Sequence, residues 1–297
     1  MSTPSFKGTG IAIVTPFRDD KSIDFKALGK LLQFWLANGV DYLVVLGTTG
    51  ESVTLTKDEK SALVDFVIDN VDGKLPIVVG VGGNNTMEVV KHFKDYEFEK
   101  IAGVLSVGPY YNKPNQTGFY EHFKCIASES PVPVILYNVP GRTGSNISGE
   151  TTLKLAHDIK NIVAIKEASG NLEQVMQIIK DKPERFQVIS GDDLLTLPII
   201  SIGGEGVISV AANAFPKEMA EMVNFALAGK MKQARQIHFQ LMDITRALFT
   251  EGSPAGVKAV LNQLKIGSNN LRLPLTPVSK VHFEKLAELV KKMKRPE

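Results

Sequence analysis

The sequence predicts an α/β protein, a (β/α)8 TIM barrel with a helical C-terminal extension. Three observations predict it. Eight short apolar runs, rich in β-branched residues, recur along the chain, and each is followed by turn residues. Helical stretches with one apolar face lie between them, and beyond residue 214 the strand signal stops while helical periodicity continues. Strand and helix in strict alternation force parallel pairing, because each crossover returns the chain to the same end of the sheet.

The eight runs are "GIAIVTP" (10–16), "YLVVLGTTG" (42–50), "PIVVGVGG" (76–83), "GVLSVGPYY" (103–111), "PVILYNVPG" (133–141), "VAIKEASG" (163–170), "FQVISGDD" (186–193) and "EGVISVAAN" (205–213). Continuous apolar runs of this kind suit strands covered on both faces. The first intervening helix is "FKALGKLLQFWLANG" and the second "KDEKSALVDFVIDNV". In the second, Ala62, Phe66 and Asp69/Asn70 are assigned to one helical face, and Thr56 with Glu59 three residues on has the spacing of a capping box. An open doubly wound sheet is the alternative, but "TPFRDDKSID" after the first strand lacks the glycine fingerprint that fold uses. The expected organisation is therefore a catalytic barrel over 1–224 and a helical extension over 225–297, part of which could be the barrel's last helix.

Composition excludes several function classes. With 43% hydrophobic and 22% charged residues the chain has the balance of an ordinary globular protein. A net charge of only +2, spread along the chain apart from the tail "LVKKMKRPE", argues against a nucleic-acid surface, and that tail reads as a solvated helix end. No apolar run approaches the roughly 20 residues of a membrane span, and "MSTPSFKGTGIAIVTPF" lacks the pattern of a signal peptide, so no membrane partner is expected. The single cysteine, Cys125, excludes an intrachain disulfide and fits a reducing, cytoplasmic compartment; its helical context reads as a small buried hydrophobe. The five histidines show no metal-ligand spacing and are expected on surfaces or helix faces, while Asp192 and Asp193 read as a solvated loop cap. Neither a metal nor any other cofactor is expected.

In a barrel of this class the reactive groups come from the C-terminal strand ends and the loops just after them. Lys166 is out of place there, since it ends the apolar run "VAIK". Removing water from an amine penalises its ammonium form, so a lysine among apolar walls becomes a nucleophile for carbonyl carbon and can form a Schiff base. The alternative is an ion pair with a carboxylate across the barrel. Glu167 cannot readily be that partner, because successive strand side chains point to opposite faces. Tyr137 ends the neighbouring run and could carry protons to and from an alkoxide or carbinolamine; it could equally be a rim aromatic. The turn "GTTGES" offers two hydroxyls and several backbone N–H groups, which suits a carboxylate. Tyr110 and Tyr111 in "PYYNKP" and Arg142 in "GRTG" complete the rim, Arg142 being suited to a second carboxylate.

Taken together and in order, "GTTGES", "YYNKP", "YNVPGRTG", "IKEASGN" and "GDD" resemble the dihydrodipicolinate synthase (4-hydroxy-tetrahydrodipicolinate synthase) branch of the N-acetylneuraminate lyase superfamily, over about residues 8 to 215. The resemblance implies a class I, pyruvate-dependent lyase with Lys166 as the Schiff-base lysine. It implies that Tyr137, Thr48 and Tyr111 form a proton relay, with Tyr111 reaching the site of a neighbouring subunit. Thr48 and Thr49 correspond to the hydroxyls around the pyruvate carboxylate, and Gly191 and Ile208 to positions whose backbone lines the pocket. Arg142 corresponds to the residue that holds the carboxylate of L-aspartate 4-semialdehyde, which favours the synthase over a lyase acting on a sugar acid such as N-acetylneuraminate. The implied reaction condenses pyruvate with the semialdehyde, a step of lysine and diaminopimelate biosynthesis, in a homotetramer built as a dimer of dimers. Ser52, Asn84, Glu88 and Tyr110 match an effector site for L-lysine, but Lys57 and Lys60 stand where inhibited members often carry histidines, so weak or absent inhibition is expected.

Overall fold

The structure, a computed structural model, describes residues 5–293. The expectations for the N-terminal leader and for the basic tail fall partly on 1–4 and 294–297, which lie outside the described residues. Eight parallel strands close into a barrel in sequence order, β1 pairing with both β2 and β8. The alternating units are β1 (Gly8–Ala12) and α1 (Phe25–Leu36), β2 (Tyr42–Val45) and α2 (Lys57–Val71), β3 (Ile77–Gly80) and α3 (Thr86–Lys91), β4 (Gly103–Val107) and α4 (Gln116–Glu129). They continue with β5 (Val134–Asn138), followed by the short α5 (Pro140–Thr143) and α6 (Gly149–Asp158), then β6 (Ile162–Glu167) and α7 (Leu172–Asp181), β7 (Gln187–Ser190) and α8 (Thr196–Ser201), β8 (Gly206–Ser209) and α9 (Pro216–Leu227). The extension is α10 (Met231–Phe249), α11 (Ala255–Gln263) and α12 (Lys280–Met293). A division at 224/225 thus falls inside α9, the helix that completes the eighth unit.

Two apolar layers follow from strand alternation. Outward side chains such as Leu43, Val45, Leu136 and Ile165 pack under the helices, while Tyr42, Val44, Leu105, Ile135, Ile189 and Ile208 fill the barrel interior. The Tyr42 ring has its room in this inner layer because Gly10 opposite carries no side chain; a Cβ there would overlap it. Asn213 closes the seam between first and last strands, donating to the Ala12 carbonyl at 2.8 Å and accepting from the Val14 N–H at 3.0 Å.

Thr56 and Glu59 form the reciprocal capping box at the start of α2. The buried face of that helix, however, is Leu63, Val64, Val67 and Val71; Ala62, Asp69 and Asn70 are exposed and Phe66 is half-buried. The barrel surface selects the stripe with the largest apolar area, and the β-branched residues lie on it. Cys125 is half-buried, since α4 turns Phe123 and Ile126 inward instead. Of the histidines expected on surfaces or helix faces, His122, His238 and His282 lie on helices with their side chains buried. Asp193 is buried as well and accepts from the N–H groups of Val210 and Ala211 at 3.1 and 3.0 Å, so it joins two strand ends and is no solvated cap. Among the described residues no helix is long and apolar enough to cross a membrane, and no three metal-ligating side chains cluster.

Candidate active site

Lys166 sits at the C-terminal end of β6 with its side chain inward and 5% exposed. Its position follows from the run itself: Ala164 and Lys166 face the barrel interior, whereas Ile165 packs under the helices. Tyr137 is its direct partner in the β5–β6 register, and the Lys166 Nζ lies 4.3 Å from the centroid of the Tyr137 ring. Among the described residues no carboxylate lies within ion-pair distance of the Lys166 amine. The ion-pair alternative therefore has no partner in the structure. Gly191 leaves the amine its room, since a Cβ at that position would come within 3.0 Å of the lysine Cε and 2.8 Å of the Ala168 Cβ. Ile208 is fully buried in the same inner layer as Tyr137 and Ile189.

Glu167 points the other way and is held there. It accepts from the Asn138 side chain at 3.0 Å, from Gln174 at 3.0 Å and from the Ser169 N–H at 2.7 Å. Asn138 in turn accepts from the Ile147 N–H at 3.0 Å and donates to Asn146 at 2.8 Å, which ties the segment after Arg142 to the two strands. This buried network was not anticipated as a unit from the sequence. The signal was present, because Asn138 and Glu167 each follow an inward residue and must therefore meet on the outer face.

A cavity of about 290 Å³ opens at the C-terminal mouth. Thr48, Tyr137 and Arg142 line it, together with Tyr110, Ser52 and Lys60. Lys166 does not line it directly; its amine lies 4.3 Å from the ring centroid of Tyr137, which does. The Thr48–Gly50 segment is a single 3-10 turn with Gly50 N–H bonded to the Gly47 carbonyl at 3.0 Å, and Thr15 donates to the Gly50 carbonyl at 2.7 Å. Two non-glycine residues in left-handed conformation, Leu46 (φ 59°) and Glu51 (φ 54°), bracket it, and backbone strain of this kind persists only where surroundings over-determine the geometry. Thr49 is buried while Thr48 is exposed. Arg142 is exposed on α5 and has no carboxylate within ion-pair distance among the described residues.

Tyr111 is not brought to this cavity. It is 88% exposed, held at φ 69°, and is not among the residues lining the cavity. Of the residues matched to an effector site, Ser52 and Tyr110 line the cavity, whereas Asn84 contributes its carbonyl to Asn112 at 2.8 Å and Glu88 pairs with Lys91 at 2.7 Å, away from the lining. Lys57 is neutralised by Asp95 at 2.7 Å; Lys60 lines the cavity without a carboxylate partner among the described residues.

Comparison with known proteins places this geometry in context. The chain matches the Dihydrodipicolinate synthetase family over residues 5–293. It is 50% identical over 293 residues, 99% of each chain, to a protein of Parabacteroides distasonis named 4-hydroxy-tetrahydrodipicolinate synthase. Among solved structures, a dihydrodipicolinate synthase from Thermotoga maritima superposes with a TM-score of 0.95 at 42% identity, covering 97% of this chain and 98% of that one. A structure described as the first monomeric dihydrodipicolinate synthase variant gives a TM-score of 0.95 at 42% identity over 97% of both chains.

Proposed function

The chain belongs to the dihydrodipicolinate synthetase family, and on that premise we propose that it condenses pyruvate with L-aspartate 4-semialdehyde to give 4-hydroxy-tetrahydrodipicolinate, a step of lysine and diaminopimelate biosynthesis. The observation that carries the mechanism is the Lys166 amine, buried at the barrel mouth over the face of Tyr137 and free of any carboxylate among the described residues.

Lys166 Nζ attacks the keto carbon of pyruvate, and loss of water leaves a protonated imine. That imine withdraws electrons, so a proton leaves the methyl carbon and an enamine forms. The enamine carbon attacks the aldehyde carbon of the semialdehyde, and the resulting alkoxide takes up a proton. The substrate's own amine then adds to the imine carbon and expels Lys166, closing the ring and restoring the free amine. Tyr137 sits where protons must enter and leave, with Thr48 beside it in the cavity; Tyr111 of a neighbouring subunit completes the relay. Thr48 and Thr49 receive the pyruvate carboxylate at their turn, Gly191 and Ile208 wall the imine, and Arg142 takes the semialdehyde carboxylate as a bidentate donor. The name carried by the 50% identical relative supports the synthase over a sugar-acid lyase.

Assembly as a homotetramer, a dimer of dimers, is part of the same reading. It is supported by Tyr111, whose exposed ring on a left-handed residue serves the reaction only if a second copy receives it. The lone cysteine suits a cytoplasmic location. Borohydride reduction in the presence of pyruvate, followed by mass mapping, tests the centre of the proposal: the adduct is expected on Lys166, and label on any other residue overturns it.

A further inference from the structure

A second lysine is buried even more deeply than Lys166, outside the barrel. Lys258, on α11 of the extension, is 1% exposed. Its ammonium pairs with the Glu51 carboxylate, donates to the Asn270 carbonyl at 2.8 Å and lies 4.2 Å from the centroid of the Phe17 ring. Burial pushes this amine down to about 8, with Glu51 opposing the shift.

Glu51 is the residue that ends the Thr48–Gly50 turn. Its second carboxylate oxygen accepts from the Arg272 N–H at 3.1 Å. The Arg272 guanidinium continues the contact, donating to the Thr54 carbonyl at 2.9 Å and to both oxygens of Glu59 at 2.7 and 2.5 Å. The side of the turn that faces away from the cavity is thus gripped by residues of the extension, through hydrogen bonds in which one or both partners are charged. Such a pair is weak as a source of stability, because apolar residues of equal volume usually serve as well; what it adds is a fixed geometry. The geometry in need of fixing is evident, since Glu51 is a left-handed non-glycine residue that ends the turn carrying Thr48 and Thr49.

We propose that Glu51 and Lys258 are positioning residues for the reaction: the C-terminal extension holds the Thr48–Thr49 turn in the shape that receives the pyruvate carboxylate. The inference rests on the assignment of that turn to pyruvate.

Lys258 removed alone would strand a buried carboxylate, so the probe is the neutral double variant Glu51→Gln/Lys258→Met, compared with Thr49→Val. With circular dichroism confirming the fold, the double variant is expected to raise the KM for pyruvate at least tenfold while the KM for the semialdehyde changes less than threefold. Thr49→Val is expected to show the same split. A rise with Thr49→Val but none with the double variant overturns the positioning role and leaves the turn's assignment standing; no rise with either removes the assignment itself. A fall in kcat alone in the double variant, tracking the folded fraction, also overturns the role. Should the double variant fail to fold, Glu51→Asp, which keeps the charge opposite Lys258 but shortens its reach to the extension, is read by the same KM split and the same two outcomes.

Discussion

Tyr137 and Lys166 face each other across β5 and β6, with the amine 4.3 Å from the ring centroid. One residue further on, Asn138 and Glu167 face each other on the outer side of the same two strands and are hydrogen-bonded at 3.0 Å. The reactive pair and the buried network behind it therefore share one register, and displacement of either strand disturbs both.

Tyr137→Phe keeps the ring that covers Lys166 and removes only the hydroxyl. Turnover is expected to fall about a hundredfold, the scale of a lost general acid–base group. Borohydride trapping of the pyruvate imine should persist, and retention of more than half of wild-type turnover would exclude the hydroxyl from the relay.

Arg142→Ala removes an exposed guanidinium that lines the cavity without a carboxylate partner among the described residues. The KM for semialdehyde is expected to rise far more than that for pyruvate, by on the order of 10- to 100-fold for a charge-assisted contact. Equal changes in both constants would remove the assigned role.

Asn138→Ala deletes one donor to the buried Glu167 carboxylate and leaves the Ile147 N–H without its acceptor. One buried N–H left unsatisfied and a buried carboxylate with one donor fewer predict a loss of about 2–4 kcal/mol, read as a lower urea midpoint at unchanged m-value. A midpoint equal to wild type would show that water replaces both contacts.

His122 supplies a pH dependence of stability. Its ring is buried on α4 with Nδ1 against the Thr86 hydroxyl at 2.9 Å, and burial pushes it down to about 4 from an ordinary 6.5. Between those values the unfolded chain binds the proton and the folded one does not, so stability falls as pH drops from about 6.5 toward 4 and this contribution is constant below that. Between pH 7 and pH 5 the loss is about 2 kcal/mol from this residue. Urea midpoints of wild type and His122→Leu at both values test it, and an identical pH slope in the two proteins would rule it out.

Inhibition by L-lysine is expected to be weak. Ser52 and Tyr110 line the cavity, but Lys60 lines it too and brings an uncompensated cation toward any ammonium placed there. Initial rates against added L-lysine decide the matter, strong inhibition at sub-millimolar effector being the contrary result.

Much of this was legible in the amino-acid order. Alternation in "VAIKEASG" is a property of consecutive residues, so the inward aim of Lys166 and the outward aim of Glu167 followed from steric rules acting over one residue spacing. The eight apolar runs and the helices between them likewise determined parallel pairing, because each crossover returns the chain to the same end of the sheet. Tertiary structure alone decided which stripe of α2 is buried, that three histidines and Asp193 lie inside, and that Glu51 meets Lys258 across 207 positions. Those outcomes depend on closure of the barrel and docking of the extension, where side chains far apart in sequence compete for the same buried volume, and no local periodicity encodes the winner.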